Sequence, residues 1–123
     1  MNMINQKIEL TNLEKEVLLC FLEKNHLDKE FFGREFDLLK ILDRNITVSG
    51  FVTKIATEKL FEKSNMKSLR WTNVMAILNE KIEVGFLIYI DNYFLNGIEG
   101  FTYGERAWPK EISSFKAVGA SHT

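Results

Sequence analysis

Apolar residues in the first part of the chain recur at helical spacing. Leu13, Val17, Cys20, Phe21 and the stem of Lys24 follow one another at intervals of three and four, which predicts an amphipathic helix. Thr11 stands three residues before Glu14, so hydroxyl and carboxylate can each satisfy a backbone donor at the helix start. The helix is expected to run to about Asn25, with Glu14, Lys15, Glu16 and Glu23 facing water. Asp28 caps a shorter second helix whose Phe31, Phe32 and Phe36 are expected to pack inward, although Gly33 costs about 1 kcal/mol inside it.

From Leu39 the period changes to two. Leu39, Ile41, Ile46 and Val48 alternate with polar residues, Ser49-Gly50 supplies a turn, and Phe51, Thr53 and Ile55 alternate again, which predicts a β-hairpin. Residues 57–70 are polar with isolated apolar positions, and read as an exposed, mobile connection with one helical turn around Leu60 and Phe61. Trp71–Leu78 reads as a strand. Val84–Ile90 is apolar on both parities, the pattern of a central strand covered on both faces. Asp91-Asn92-Tyr93 turns the chain into a strand over Phe94–Tyr103. Because Tyr93 resists positive φ, this loop is expected to open by a residue or two. Gly97, Gly100 and Gly104 suggest bulges or sharp twist. Pro109 fits the first position of a short helix over Glu111–Phe115, with Trp108 packed beneath it, and the stretch from Lys116 is expected to fray.

These elements predict an α+β domain, with N-terminal helix or helices packed on one face of a mainly antiparallel, roughly five-stranded twisted sheet. The helical part covers 1–37, the sheet 38–118, and 119–123 form a frayed tail. A chain of 123 residues with 46% apolar residues suits a single such domain with a sizeable core.

Charge and composition narrow the chemistry. A net charge of −1 provides no positive field for a polyphosphate, so nucleic acid is an unlikely partner. The single Cys20 cannot pair internally and reads as buried filler. His26 and His122 lack companions for a metal site, and Asp28 serves better as a helix cap than as a ligand, so no cofactor is expected. The glycines at 97, 100 and 104 are not followed by the Lys-Ser/Thr of a phosphate loop. Glu99 and Glu105 could form a carboxylate pair, yet only Tyr103 accompanies them, and enzymatic activity is not expected. The N-terminal MNMINQKIEL has no charged segment leading into an apolar core of signal length, and the longest apolar run is far too short to span a bilayer. The expected location is therefore the cytoplasm.

The distribution of charge says more than the total. Residues 83–105 contain Glu83, Asp91, Glu99 and Glu105 and neither Lys nor Arg. One reading is a solvated strand edge, with Glu99 paired to Arg106, Arg70 or Arg44. The other is an acidic, aromatic face for a basic protein partner, with Asp91, Tyr93, Glu99, Tyr103 and Glu105 as contacts. A competing contact region is the basic stretch with Lys59, Lys63, Lys67 and Arg70, which would suit an acidic partner. A third possibility is a nucleic-acid or ligand site around Trp71, Lys67 and Arg70.

The string Gly85–Pro109, GFLIYIDNYFLNGIEGFTYGERAWP, taken with RNITVSGFVT from Arg44 to Thr53, resembles bacterial immunity proteins of polymorphic and contact-dependent growth inhibition toxin systems. The match is carried by Arg44, Thr47, Val48, Gly50, Phe51 and Thr53. It continues through Gly85, Phe86, Asp91, Leu95, Glu99, Gly100, Thr102, Tyr103, Glu105, Trp108 and Pro109. Tyr93, Phe101 and an extra residue between Glu105 and Trp108 depart from the pattern. The resemblance implies a protein without a reaction of its own, which binds a cognate toxin C-terminal domain, of nuclease type by expectation, and blocks its active site. Its oligomeric state is left open.

Overall fold

The structure, a computed structural model, describes residues 8–56, 60–62, 64–70, 72 and 74–119. Two helices, α1 (Asn12–Lys24) and α2 (Lys29–Phe36), precede six strands: β1 (Lys40–Thr47), β2 (Gly50–Ala56), β3 (Val74–Leu78), β4 (Ile82–Asp91), β5 (Phe94–Thr102) and β6 (Phe115–Gly119). The strands form one open antiparallel sheet in the order β1-β2-β5-β4-β3-β6. No helix among the described residues is long and apolar enough to cross a membrane.

Helix α1 begins as its sequence requires. Thr11 accepts from the Glu14 N–H and Glu14 returns the bond to the Thr11 N–H. Its inward stripe is Leu13, Val17, Leu18, Phe21 and Leu22, with Cys20 only half-buried. Burial and the neighbouring Glu23 raise the Cys20 thiol pKa above its ordinary value. In α2, Asp28 caps the Glu30 and Phe31 N–H groups, and Phe32 and Phe36 are buried. Phe31 lies on the outer side at 46% exposure and does not enter the core, because in an eight-residue helix its neighbour Phe32 already occupies the inward direction.

One sheet face carries Phe51, Thr53 and Ile55 of β2 and Val84, Phe86, Ile88 and Ile90 of β4. With them stand Leu95 and Ile98 of β5 and Val74, Ala76 and Leu78 of β3, all buried beneath the helices. Among the described residues β4 is therefore covered on this side only. Among the described residues no element lies over its outward side chains Leu87 and Tyr89, which are half-buried by their own neighbours in the sheet.

Other expectations change with equal physical cause. Of the expected excursion, residues 57–59 and 63 lie outside the described residues, and 60–62 and 64–70 are not free. Phe61 is fully buried, stacked on Phe32 at 5.1 Å and edge-on to Phe21 at 6.4 Å. Leu60–Glu62 form a turn instead of helix. The Phe61 N–H donates to the Tyr93 carbonyl, the Tyr93 N–H to Lys67, and Leu69 bridges Ile90 in both directions, so this segment occupies the part of β4 that short β3 leaves unpaired. The 92–93 turn stays at two residues, with Asn92 and Tyr93 at φ 50° and 72°. The half-buried packing of the Tyr93 ring and its two backbone bonds offset the left-handed strain. Between 109 and 115 there is no helix, and the stretch expected to fray forms β6. Asn79 anchors that stretch, accepting from the Ser113 and Ser114 N–H groups and donating to the Glu111 carbonyl. Trp71, Lys59, Lys63 and His122 lie outside the described residues.

Candidate functional site

The helix-free face of the sheet is the candidate site. Outward positions of an antiparallel sheet facing water ordinarily carry polar side chains. Here they include Val52 on β2, Leu87 and Tyr89 on β4, Phe101 on β5 and Met75 and Ile77 on β3, all half-buried. Lys54, Glu83 and Lys116 supply charge around them.

Register explains how this face is built. Tyr89 stands opposite Gly97 and Gly85 opposite Phe101. At residue 85 a Cβ would meet the Phe101 ring at 2.7 Å and the Tyr103 hydroxyl at 2.6 Å, so the absent side chain makes room for two aromatic groups to lie over β4. At residue 97 a Cβ would instead meet the Thr53 carbonyl oxygen at 2.7 Å, while the Tyr89 ring lies at an ordinary contact distance of 3.8 Å and its hydroxyl donates to Glu99 Oε1 at 2.7 Å. Phe101 and Tyr103 meet edge to face at 5.6 Å. Glu99 thus sits on β5 between the two aromatic positions, with Val52 and Leu87 across from it. This bond to Glu99 raises the Tyr89 pKa above the ordinary tyrosine value, with further contributions from burial and the Glu99 charge; nearby Arg70 acts in the opposite direction.

The five residues expected to form one contact region divide into three places. Glu99 is at the centre of the helix-free face, and Tyr103 closes one end of it at 48% exposure. Asp91 ends β4, four residues and about 13 Å along the strand from Leu87, the partner of Glu99, and Tyr93 follows in the β4–β5 turn at the end of the sheet away from Tyr103. Asp91 is exposed, whereas the Tyr93 ring packs against the core. Glu105 is exposed in the loop beyond Tyr103. Glu99 and Glu105 are therefore not a carboxylate pair across a shared cleft. Of the basic alternative, Lys67 is exposed, and Arg70 extends the Leu69–Ile90 bridge to stand beside Tyr89.

None of the three arginines considered as partners for Glu99 is paired with it. Arg106 donates to the Lys81 carbonyl, Arg70 forms no ion pair among the described residues, and Arg44 turns to the helix side. There it donates to Glu14, which is 1% exposed and was expected in water. The Glu14 carboxylate also accepts from Thr53 and from the Thr11 N–H.

Tyr89, Leu87 and Val52 were not legible as site residues. Their sequence signal is the pairing of glycines with aromatics at 85/101 and 89/97, which acquires meaning only once register is known. A second feature also went unread, a groove of about 710 Å³ between the β1–β2 turn and the loop after β5. Ile46 and Val48 border it at 74% and 82% exposure, and Phe51 and Trp108 line it edge to face at 5.2 Å. An aliphatic residue at a turn position, Val48, was the available clue. No group of three His, Cys, Asp or Glu side chains is placed to hold a metal among the described residues.

Set beside known protein families, curated proteins and solved structures, the chain matches none.

Proposed function

We propose that this chain is an immunity protein. It binds a toxin domain made in the same cytoplasm and covers the active site of that domain, and carries out no reaction itself. The observation behind this reading is the helix-free face, where Val52, Leu87, Tyr89 and Phe101 stand around Glu99 and Met75 and Ile77 extend the apolar surface across β3, with no layer over them among the described residues. Half-buried aromatics beside a charged group are the composition of protein-binding hot spots.

Two groups can be separated among the residues that carry the sequence resemblance. Arg44, Phe51, Thr53, Phe86, Leu95 and Gly100 build the core or its polar network, so they support a shared sheet architecture. Gly85, Glu99 and Tyr103 reach the helix-free face and support a shared mode of use.

The test is rescue of growth. The chain is co-expressed with the toxin domain encoded beside it, and cells are expected to survive. Leu87→Asp is expected to abolish rescue while leaving the circular dichroism of the purified chain unchanged. Failure of the wild-type chain to rescue cells from any neighbouring toxin would remove the proposal.

A further inference from the structure

We propose that Glu99, between the rings of Tyr89 and Phe101, is a receptor for an arginine side chain presented by the protein partner. This rests on the binding reading above and adds the chemistry of the group that enters.

Glu99 is half-buried among apolar neighbours. Val52 and Leu87 face it across the strands, and Gly97 and Phe101 flank it along its own strand. Its Oε1 accepts the Tyr89 hydroxyl, and no described residue donates to Oε2. A carboxylate in such surroundings has unused acceptor capacity, and a cation that brings its own N–H groups satisfies it. Lys54 and Arg70 are the cations of this face nearest to it, each beyond Tyr89 or Gly97, and neither is ion-paired to Glu99.

The rings choose between the two cationic side chains. Gly85 lets Phe101 lie low across the β4–β5 pair, and Tyr89 stands opposite Gly97 with its hydroxyl on Glu99, so the space above Glu99 is bordered by aromatic groups on two sides. A guanidinium is planar, stacks on aromatic faces and donates as a fork to a carboxylate, whereas an ammonium is a compact and strongly hydrated charge. The slot therefore favours arginine over lysine, and Glu99 disfavours the phosphates of nucleic acid.

The probe is a hexa-arginine peptide titrated into the isotopically labelled full chain by NMR at physiological salt, which screens unspecific attraction. Shifts are expected at the amides of Leu87, Gly97, Glu99 and Phe101. Glu99→Gln keeps the acceptor for Tyr89 and the shape of the side chain, and is expected to weaken the peptide about tenfold, the effect of losing a charge-assisted hydrogen bond. Phe101→Leu is expected to weaken it about threefold through loss of the cation–π contact. Hexa-lysine is expected to bind more weakly at the same residues. Equal binding of hexa-lysine, shifts centred on other surfaces, stronger binding of oligouridylate at this face, or a Glu99→Gln affinity within about twofold of wild type would each overturn the proposal. Toxin rescue without arginine binding would sink the arginine receptor alone. Arginine binding without rescue would sink the toxin as partner and leave the receptor standing.

Discussion

Two glutamates show how one side chain serves opposite ends in this molecule. Glu14 opens α1 with a spacing that usually places it on a wet surface, yet it is 1% exposed and surrounded by donors from Thr11, Arg44 and Thr53. Glu99 lies in the centre of a strand rich in apolar residues, where burial would be expected, and it faces outward with one donor, Tyr89. A carboxylate's position therefore follows from the donors brought to it. Arg44 is 19% exposed in its side chain and has been recruited across the sheet edge to Glu14 and the Glu9 carbonyl, so it is spent on structure. Glu99 is left with capacity for an external partner.

The sharpest way to break this contrast is to remove Arg44. Arg44→Ala leaves Glu14 buried without its cation, and is expected to lower unfolding stability by about 3–5 kcal/mol, the range for one half of a buried pair. Urea denaturation would show a lower midpoint with an unchanged slope. A loss below about 1 kcal/mol, the level of an exposed pair, would mean that Glu14 reaches water. Thr53→Val comes next. It preserves shape but withdraws the hydroxyl that donates to Glu14 and accepts from the Arg44 Nε at 3.1 Å, and is expected to cost about 1–3 kcal/mol. Measured with Arg44→Ala in a double-mutant cycle, the two losses should fall short of additivity, because both act on one network.

Much of the fold was legible because its cues are local. The capping box at Thr11 and Glu14, the Asp28 cap, and the alternation through Ile41 and Ile55 each specify an element from a few adjacent residues. The fate of Glu99 was not local. Asn92-Tyr93 closes a two-residue turn that pairs Ile90 with Leu95, and unbroken pairing would then set Glu99 opposite Phe86, on the helix face. A bulge at Asn96 shifts the register by one residue, sets Glu99 opposite Leu87 and reverses its face. Gly97 signals a bulge or sharp twist in this stretch, but a glycine alone does not fix which residue is the extra one or that the register shifts by one. Phe61 and β6 were hidden for a related reason: their partners, Phe32 and β3, are distant in the chain, and only tertiary packing turns a polar stretch into ordered structure.

Glu99 supplies the other arm of the comparison. Glu99→Gln is expected to change unfolding stability by no more than about 0.5 kcal/mol, as for a surface substitution, while impairing binding. A loss comparable to that of Arg44→Ala would show that Glu99 is structural and would end its assignment to the interface.

The smallest effect is the most direct report on the Tyr89–Glu99 contact. The hydrogen bond to Glu99, then burial, then the Glu99 charge hold the Tyr89 pKa above its ordinary value. Because the folded value exceeds the unfolded one, the neutral phenol is favoured by folding. Its contribution to stability is complete below the unfolded tyrosine value of about 10 and is lost as pH rises through the folded value. The chain has three tyrosines, so the ultraviolet titration of wild type minus that of Tyr89→Phe isolates this phenol. In a Glu99→Gln background the same difference should move to lower pH, toward an ordinary tyrosine, since the carboxylate charge is gone and the remaining acceptor is neutral. An unchanged midpoint would mean that the two side chains do not meet in solution, and that Glu99 lacks the aromatic wall on which its preference for arginine depends.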